Sequence, residues 1–207
     1  MASIVPEPKR IKSFPTAVAF AAWLSANHDK QPELWLKIHK KDSGLPTVTY
    51  AEALDIALSW GWIDSTRKSF DQESFLQRYG PRGAKSVWSQ INRVHVARLT
   101  AEGRMTPHGQ RHVDAAKADG RWEAAYAPIR SATEATVSAD LRAAIDANPD
   151  ARKTFLTLGR QNLFALAFRT NNMKTPVGRS KKIAALVDML ARGETIVPER
   201  SRPGPKR

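Results

Sequence analysis

Four places in this 207-residue chain gather side chains with chemical potential. The first is Gln77-Arg78-Tyr79-Gly80-Pro81-Arg82-Gly83-Ala84-Lys85, where Arg78, Arg82 and Lys85 flank a Gly-Pro-Arg-Gly turn. Guanidinium forks and backbone amides beside aromatic faces suit a phosphate or a carboxylate. The plain alternative is that Arg78 pairs with Asp64 or Glu73 across a hairpin and Arg82 is solvated, since surface charges usually need no partner. The second place is Asp64, just after Trp60 and Trp62. For acid or base work it needs a second titratable group in reach, and the candidates are His39, Asp71, Glu73 and His95. Trp60 and Trp62 line a ligand groove in one reading and are core-rim aromatics in the other. The third is His108 and His112, whose i, i+4 spacing puts two imidazoles on one helix face, with no third ligand nearby. The fourth is Arg179, Lys181 and Lys182, opening an otherwise apolar helix; cations in a first turn oppose the helix dipole and ask for an anionic neighbour.

Other chemistries are excluded or leave no trace. The chain has no cysteine, which removes disulfides, thiolate nucleophiles and thiolate zinc sites. It contains no G-x-S-x-G elbow, and Gly80-Pro81-Arg82-Gly83 has neither Walker nor dinucleotide spacing. Neither a cofactor nor a metal is therefore expected. Asp64 remains a weak catalytic candidate, and an enzyme is the less favoured class.

The elements that must position these residues follow from periodicity and caps. Residues 1–13 read as an extended lead-in. An amphipathic helix is expected over 15–27, with Val18, Ala21, Ala22 and Leu24 on its face. Residues 33–40 alternate as a half-buried strand. Thr49 and Glu52 form a capping box for a helix that runs to Trp60 and stops at Gly61, a residue suited to a left-handed cap. Strands over 62–70 and 73–79 make a hairpin. Two helices follow, one from Ser86 or Ser89 to Gly103 and one opened by Thr106-Pro107. From Ser138, four segments have helical spacing: 139–147, 150–157, 160–171 and 176–192. The fold class expected is α+β: a small mixed helix and sheet domain over 14–130, then a helical module over 138–193. The tail, 194–207, is too polar and proline-rich to fold alone.

The net charge of +13 is unevenly placed. Residues 1–66 are neutral, whereas residues 151–207 carry 13 Lys and Arg against 3 Asp and Glu. Such clustering favours an anionic ligand, protein or polyanion, non-specific nucleic acid included. The N-terminus lacks the apolar run of a secretory signal and no stretch of eighteen apolar residues occurs, so a cytoplasmic protein without transmembrane segments is expected.

The motifs TYAEALDIALSWGWIDS, SFLQRYGPRGAKSVWSQINRVHVARLTAEGRMTPHG and AAKADGRWEAAY, with GRSKKIAALVDMLARGE near the end, closely resemble the YdeI/OmpD-associated, or bacteriocin-protection, family. The resemblance covers roughly residues 14–127 and 138–193. It implies an α+β protein with a helical C-terminal region of the OmdA type, a link to bacteriocin or antimicrobial-peptide protection, and an association with an outer-membrane porin. It brings no catalytic residues.

Three functional readings stand at this point. The leading one is a non-enzymatic stress or envelope-protection protein that binds an anionic partner through Arg78, Arg82, Lys85, Arg179, Lys181 and Lys182. The second is a small-molecule sensor or enzyme with a pocket between Trp60–Asp64 and Arg78. The third is non-specific nucleic-acid binding by the C-terminal module.

Overall fold

The computed structural model of the chain describes residues 6–199. They divide after Ala125 into two compact units. The fold is α+β, with the sheet confined to the first unit.

In the first unit, Ile11–Ser13 (β1), Leu34–His39 (β2), Trp62–Ser69 (β3) and Ser74–Pro81 (β4) form one sheet in the order β1-β2-β4-β3. β1 runs parallel to β2 and the other pairs are antiparallel. The three residues of β1, read from the sequence as lead-in, are too few to show a period of two; only pairing with Trp35–Lys37 makes them a strand. Leu34, Leu36 and Ile38 are buried on one face as their alternation demands. Trp35, of opposite parity, is fully buried as well, so the strand is covered on both sides.

Helix Ala17–Asn27 (α1) is capped by the Thr16 hydroxyl, which accepts from the Ala19 amide. Its buried side chains are Phe20 and Leu24, and Val18 faces solvent at 78% exposure. The expected face is therefore rotated: the largest apolar pair at i, i+4 takes the core, because burial gain scales with area. Helix Tyr50–Ser59 (α2) has the complete capping box between Thr49 and Glu52. It ends at Gly61, whose φ of +70° is the left-handed conformation that glycine adopts without a Cβ penalty.

α2 has a core on each side. Toward the sheet it meets Phe20, Leu36, Trp62 and Tyr79. On the other side Leu54 and Leu58 join Trp88, Val96, Leu99, Val113 and Trp122. The last five include residues of helices Gln90–Ala101 (α3) and Pro107–Ala118 (α4), capped by Ser89 and Thr106.

The second unit contains helices Ala139–Asp146 (α5), Pro149–Phe155 (α6), Arg160–Asn171 (α7) and Pro176–Ala191 (α8). They enclose Leu141, Ile145, Phe155, Leu163, Leu166, Leu186 and Leu190. Tyr126 belongs here, with its ring 5.0 Å from that of Phe168. The tail expected to lack structure lies, from residue 200 on, outside the described residues. Among the described residues no helix is long and apolar enough to cross a membrane.

Candidate functional site: a cavity lined by three arginines

The site begins where α2 turns into β3. The Arg82 amide, just past β4, donates to the Gly61 carbonyl at 2.9 Å and ties the hairpin end to that corner. α4 is docked on the same corner by backbone contact: the Thr106 hydroxyl donates to the Ser59 carbonyl at 2.7 Å, and Gly109 lies so close that a Cβ there would collide with the same carbonyl. One turn later His112 packs on Gly61, where a Cβ would overlap the imidazole. Gly61 thus serves both a positive φ and a close approach. Gly109 serves only the approach.

With the corner fixed, three arginine residues line one cavity. Arg82 is only 5% exposed; its guanidinium lies 3.6 Å from the centre of the Trp88 ring, and its two terminal nitrogens approach the Val87 carbonyl at 3.4 and 3.5 Å. Trp88 is in turn wedged by the ring of Trp122 at 4.9 Å. A desolvated guanidinium over indole is held by about 2 kcal/mol or more, so Arg82 is a rigid fixture. Arg121, in the turn after α4, donates to the Ser86 carbonyl at 2.9 Å and to Asp119 at 2.7 Å. Arg111, exposed on α4, donates from Nη2 to His108 Nδ1 at 2.8 Å.

Arg82, Arg111 and Arg121, together with His112, Trp88 and Asp119, line a cavity of about 420 Å³. Asp119 is the one carboxylate among the lining residues, so the cavity is electropositive. The His112 imidazole registers this. Burial first, then the charges of Arg82, Arg111 and Arg121, hold its pKa below the usual histidine value, and it is neutral at pH 7. A second cavity, of about 430 Å³, carries Lys9, Arg10 and Lys12 at its wall, but Arg10 is tied to Glu33 at 2.8 Å.

The other residues singled out by sequence are dispersed. Arg78 does not pair with Asp64 or Glu73; its Nε donates to Glu33 at 2.6 Å, beside Arg10. Burial pushes the Glu33 carboxyl up, but the two arginines outweigh it and hold the pKa below the usual range. Lys85 is exposed in the turn after Arg82 and is not among the cavity's lining residues. Trp62 is fully buried in the sheet core, its Nε1 donating to the His28 carbonyl at 3.0 Å. Trp60 is half-buried against the His28 ring at 4.6 Å.

Asp64 accepts from the Tyr50 hydroxyl at 2.8 Å, and burial, then Asp64, raises the Tyr50 pKa. Of the expected acid–base partners, His95 is engaged by Asp55 at 2.8 Å and Asp71 by Ser74 and Lys37. His108 and His112 do share a face, with ring centres 5.4 Å apart and His28 4.4 Å from His108. No group of three or more metal-ligating side chains is arranged to hold an ion among the described residues. Arg179, in the second unit, is bidentate to Asp140 at 2.6 and 2.8 Å and donates to the Thr170 carbonyl. Lys181 is exposed and Lys182 half-buried on the same helix.

Of the cavity's lining residues, sequence reasoning singled out Arg82 as an anion-binding candidate and did not single out Arg111 or Arg121. Arg111 was visible only as a residue between two histidines. The signal that would have found it is Gly109, a glycine inside a capped helix, which marks close backbone approach.

The architecture defines an α+β unit with a cavity lined by three arginines, followed by a four-helix unit. Residues 134–193 match the family model described as Bacteriocin-protection, YdeI or OmpD-Associated, so this segment belongs to that family. Residues 12–112 match a domain of unknown function, DUF8412. Arg82, Arg111 and His112 fall inside that match, and Asp119 and Arg121 lie just beyond it. No curated protein and no solved structure matches the chain.

Proposed function

We propose that the protein is a non-enzymatic protection protein of the bacteriocin-protection type whose first unit binds a small anionic ligand in the Arg82–Arg111–Arg121 cavity. One observation carries this reading: three arginine residues and one carboxylate residue line a single cavity. The family matched by the second unit supports the protective role. Direct capture of cationic peptides is disfavoured, because a chain of net charge +13 repels them at long range. A metabolite or signal anion is the better ligand.

Of the six cations expected to share the site, the cavity contains only Arg82. Arg78 and Arg179 are each held by a carboxylate within their own unit. The test is thermal unfolding of the full chain with citrate, succinate, inorganic phosphate and heparin at low and moderate salt. A ligand that binds the folded state raises the melting temperature by mass action. The reading requires a saturable shift with at least one small anion that is lost in Arg111→Ala. A shift with heparin alone that vanishes with salt would sink it and favour a polyanion surface instead.

A further inference from the structure

Arg111 has a partner outside the cavity it lines. Its Nη2 lies 2.8 Å from Nδ1 of His108, one turn earlier on α4, and His108 is not among the lining residues. The direction of this bond follows from the two groups: a guanidinium donates and has no acceptor, so the imidazole nitrogen must accept. Nδ1 of His108 therefore carries no proton, and the ring is the neutral tautomer protonated on Nε2. His28 shows the other case. Its Nδ1 lies 3.2 Å from the Ser25 carbonyl, which only accepts, so that nitrogen donates and the contact tolerates either charge state of the ring.

The Arg111–His108 bond is thus one that a proton breaks. Protonation of His108 puts a hydrogen where the Arg111 N–H points and creates a second cation within the same 2.8 Å contact. The groups facing the ring are His28 and Asp29, which follow α1, and Arg111 and His112 on its own helix. Asp29 is the one carboxylate among them. Burial first, then His28, His112 and Arg111, hold the His108 pKa below the usual histidine value against the pull of Asp29. The bond is therefore intact near pH 7.5 and is lost in mildly acid solution.

The consequence falls on the cavity. His108 lies on the N-terminal side of Arg111 along α4, whereas the other α4 residues that line the cavity, His112 and Ala115, lie on its C-terminal side. The N–H that reaches back to His108 is withheld from an anion seated among the lining residues. Arginine recognises an oxyanion best with paired N–H bonds, so an anion and the His108 ring compete for one fork. A ligand that competes with an internal partner has its apparent affinity reduced by the fraction of molecules in which that partner has let go. Arg121, by contrast, is anchored on the Ser86 carbonyl, a group that does not titrate.

Granted the anion-binding reading above, we infer that His108 is a positioning residue for that site: as a neutral ring it holds back the Arg111 fork, and as an imidazolium it releases the fork, so that the cavity binds small anions more tightly in mildly acid than in neutral solution. The coupling is reciprocal. An anion that engages Arg111 takes the guanidinium away from His108 and raises the ring's affinity for a proton by the same factor.

Nitrogen NMR of the histidine rings in the full chain reads the premise without any ligand. At pH 7.5 His108 should carry its proton on Nε2 and not on Nδ1, and Arg111→Ala should raise its pKa; the Nδ1-protonated tautomer would overturn the inference. Calorimetric titration at pH 7.5 and 5.0 reads the consequence, with sulfate and benzenesulfonate as probes because their charges are constant over that range. His108→Asn keeps an acceptor for Arg111 and does not titrate, whereas His108→Ala removes the acceptor. At pH 7.5 the alanine variant should bind the tighter probe at least about three-fold more strongly than the asparagine variant, the net worth of an ordinary hydrogen bond, and the wild type should resemble the asparagine variant. At pH 5.0 the wild type should reach or exceed the alanine variant. Protonation of His112 acts on all three proteins alike and leaves the comparison intact. Equal affinities of the two variants at pH 7.5, with a probe bound and lost in Arg111→Ala, would overturn the role of His108 and leave the anion site standing. Binding of neither probe by any of the three proteins at either pH would overturn the anion site, and the role of His108 with it.

Discussion

Both units pair arginines with local carboxylates, but only in the first do three arginines line one described cavity. In the second unit Arg179, Arg142 and Arg192 are turned onto Asp140, onto Glu134 and Asp146, and onto Glu194, all within 3.0 Å. The Asp140 carboxyl, paired with the Arg179 fork, is held well below the usual carboxylate range. In the first unit Arg82, Arg111 and Arg121 line one cavity with a single carboxylate. In the first unit Arg78, Arg98 and Arg104 are likewise matched by Glu33, Asp55 and Glu102. Net charge measures the long-range field, whereas a site needs cations that converge, and convergence is a property of packing.

The sharpest way to break this contrast is to remove the platform under Arg82. Trp88→Ala should destabilise the first unit by about 3–5 kcal/mol, the usual range for deleting a buried tryptophan, and abolish anion binding. Urea unfolding followed by tryptophan fluorescence measures the first effect. A stable variant that binds anions normally would show that Arg82 needs no aromatic support.

Next comes the corner that sets His112. Gly61→Ala forces a Cβ into a left-handed φ, about 1–2 kcal/mol from the backbone alone, and pushes on the imidazole. Its melting temperature should fall and its ligand affinity should fall with it. Wild-type affinity in this variant would separate the corner from the site.

A paired comparison sharpens the contrast directly. Arg111→Ala should reduce small-anion affinity ten-fold or more, about 1.4 kcal/mol, with little change in stability. Arg179→Ala should do the reverse in kind: no effect on affinity, and a stability loss of at most about 1 kcal/mol, since its partner Asp140 is solvent-exposed. Equal effects of the two substitutions on anion affinity would erase the distinction between the units.

The smallest expected effect is on pH dependence. Burial and neighbouring cationic or imidazole groups lower the pKa values of His108 and His112 below 6.5 in the folded chain. Between 6.5 and those lower values the unfolded chain binds more protons, so stability falls as pH falls and is flat above 6.5 for these groups. Asp71, lowered to about 2, affects only the region below its ordinary 3.8. Denaturation midpoints from pH 7.5 to 5.5 should therefore decline, and His112→Gln should flatten part of the decline. No change of slope would mean that His112 is as easily protonated in the folded chain as in the unfolded one.

Much of the fold was legible because its signals are local. The Thr49–Glu52 capping box, the left-handed Gly61, the Thr106-Pro107 start and the alternation of Leu34, Leu36 and Ile38 each depend on a few neighbouring residues, and each occurs as read. β1 was not legible, since three residues become a strand only against a partner distant in sequence. The face of α1 was misread because apolar spacing alone ranks Val18 with Phe20, whereas burial depends on what the sheet presents.

The site shows the same division. Residue type and sequence clustering marked Arg82, and the aromatic stretch around it supplied Trp88. The sequence by itself determined the helices, the hairpin, the family of the C-terminal segment and the excess of cations. Only the tertiary structure decided which cations meet. Glu33, forty-five residues from Arg78, took that arginine out of the site, and Asp140, thirty-nine residues from Arg179, held the other in its own unit. Gly61 and Gly109 let α4 approach the end of α2 closely, and Arg111 and Arg121 line the same cavity as Arg82. Caps and periods act over one or two turns, whereas charge pairing and convergence depend on distances in space that a linear order of residues does not contain.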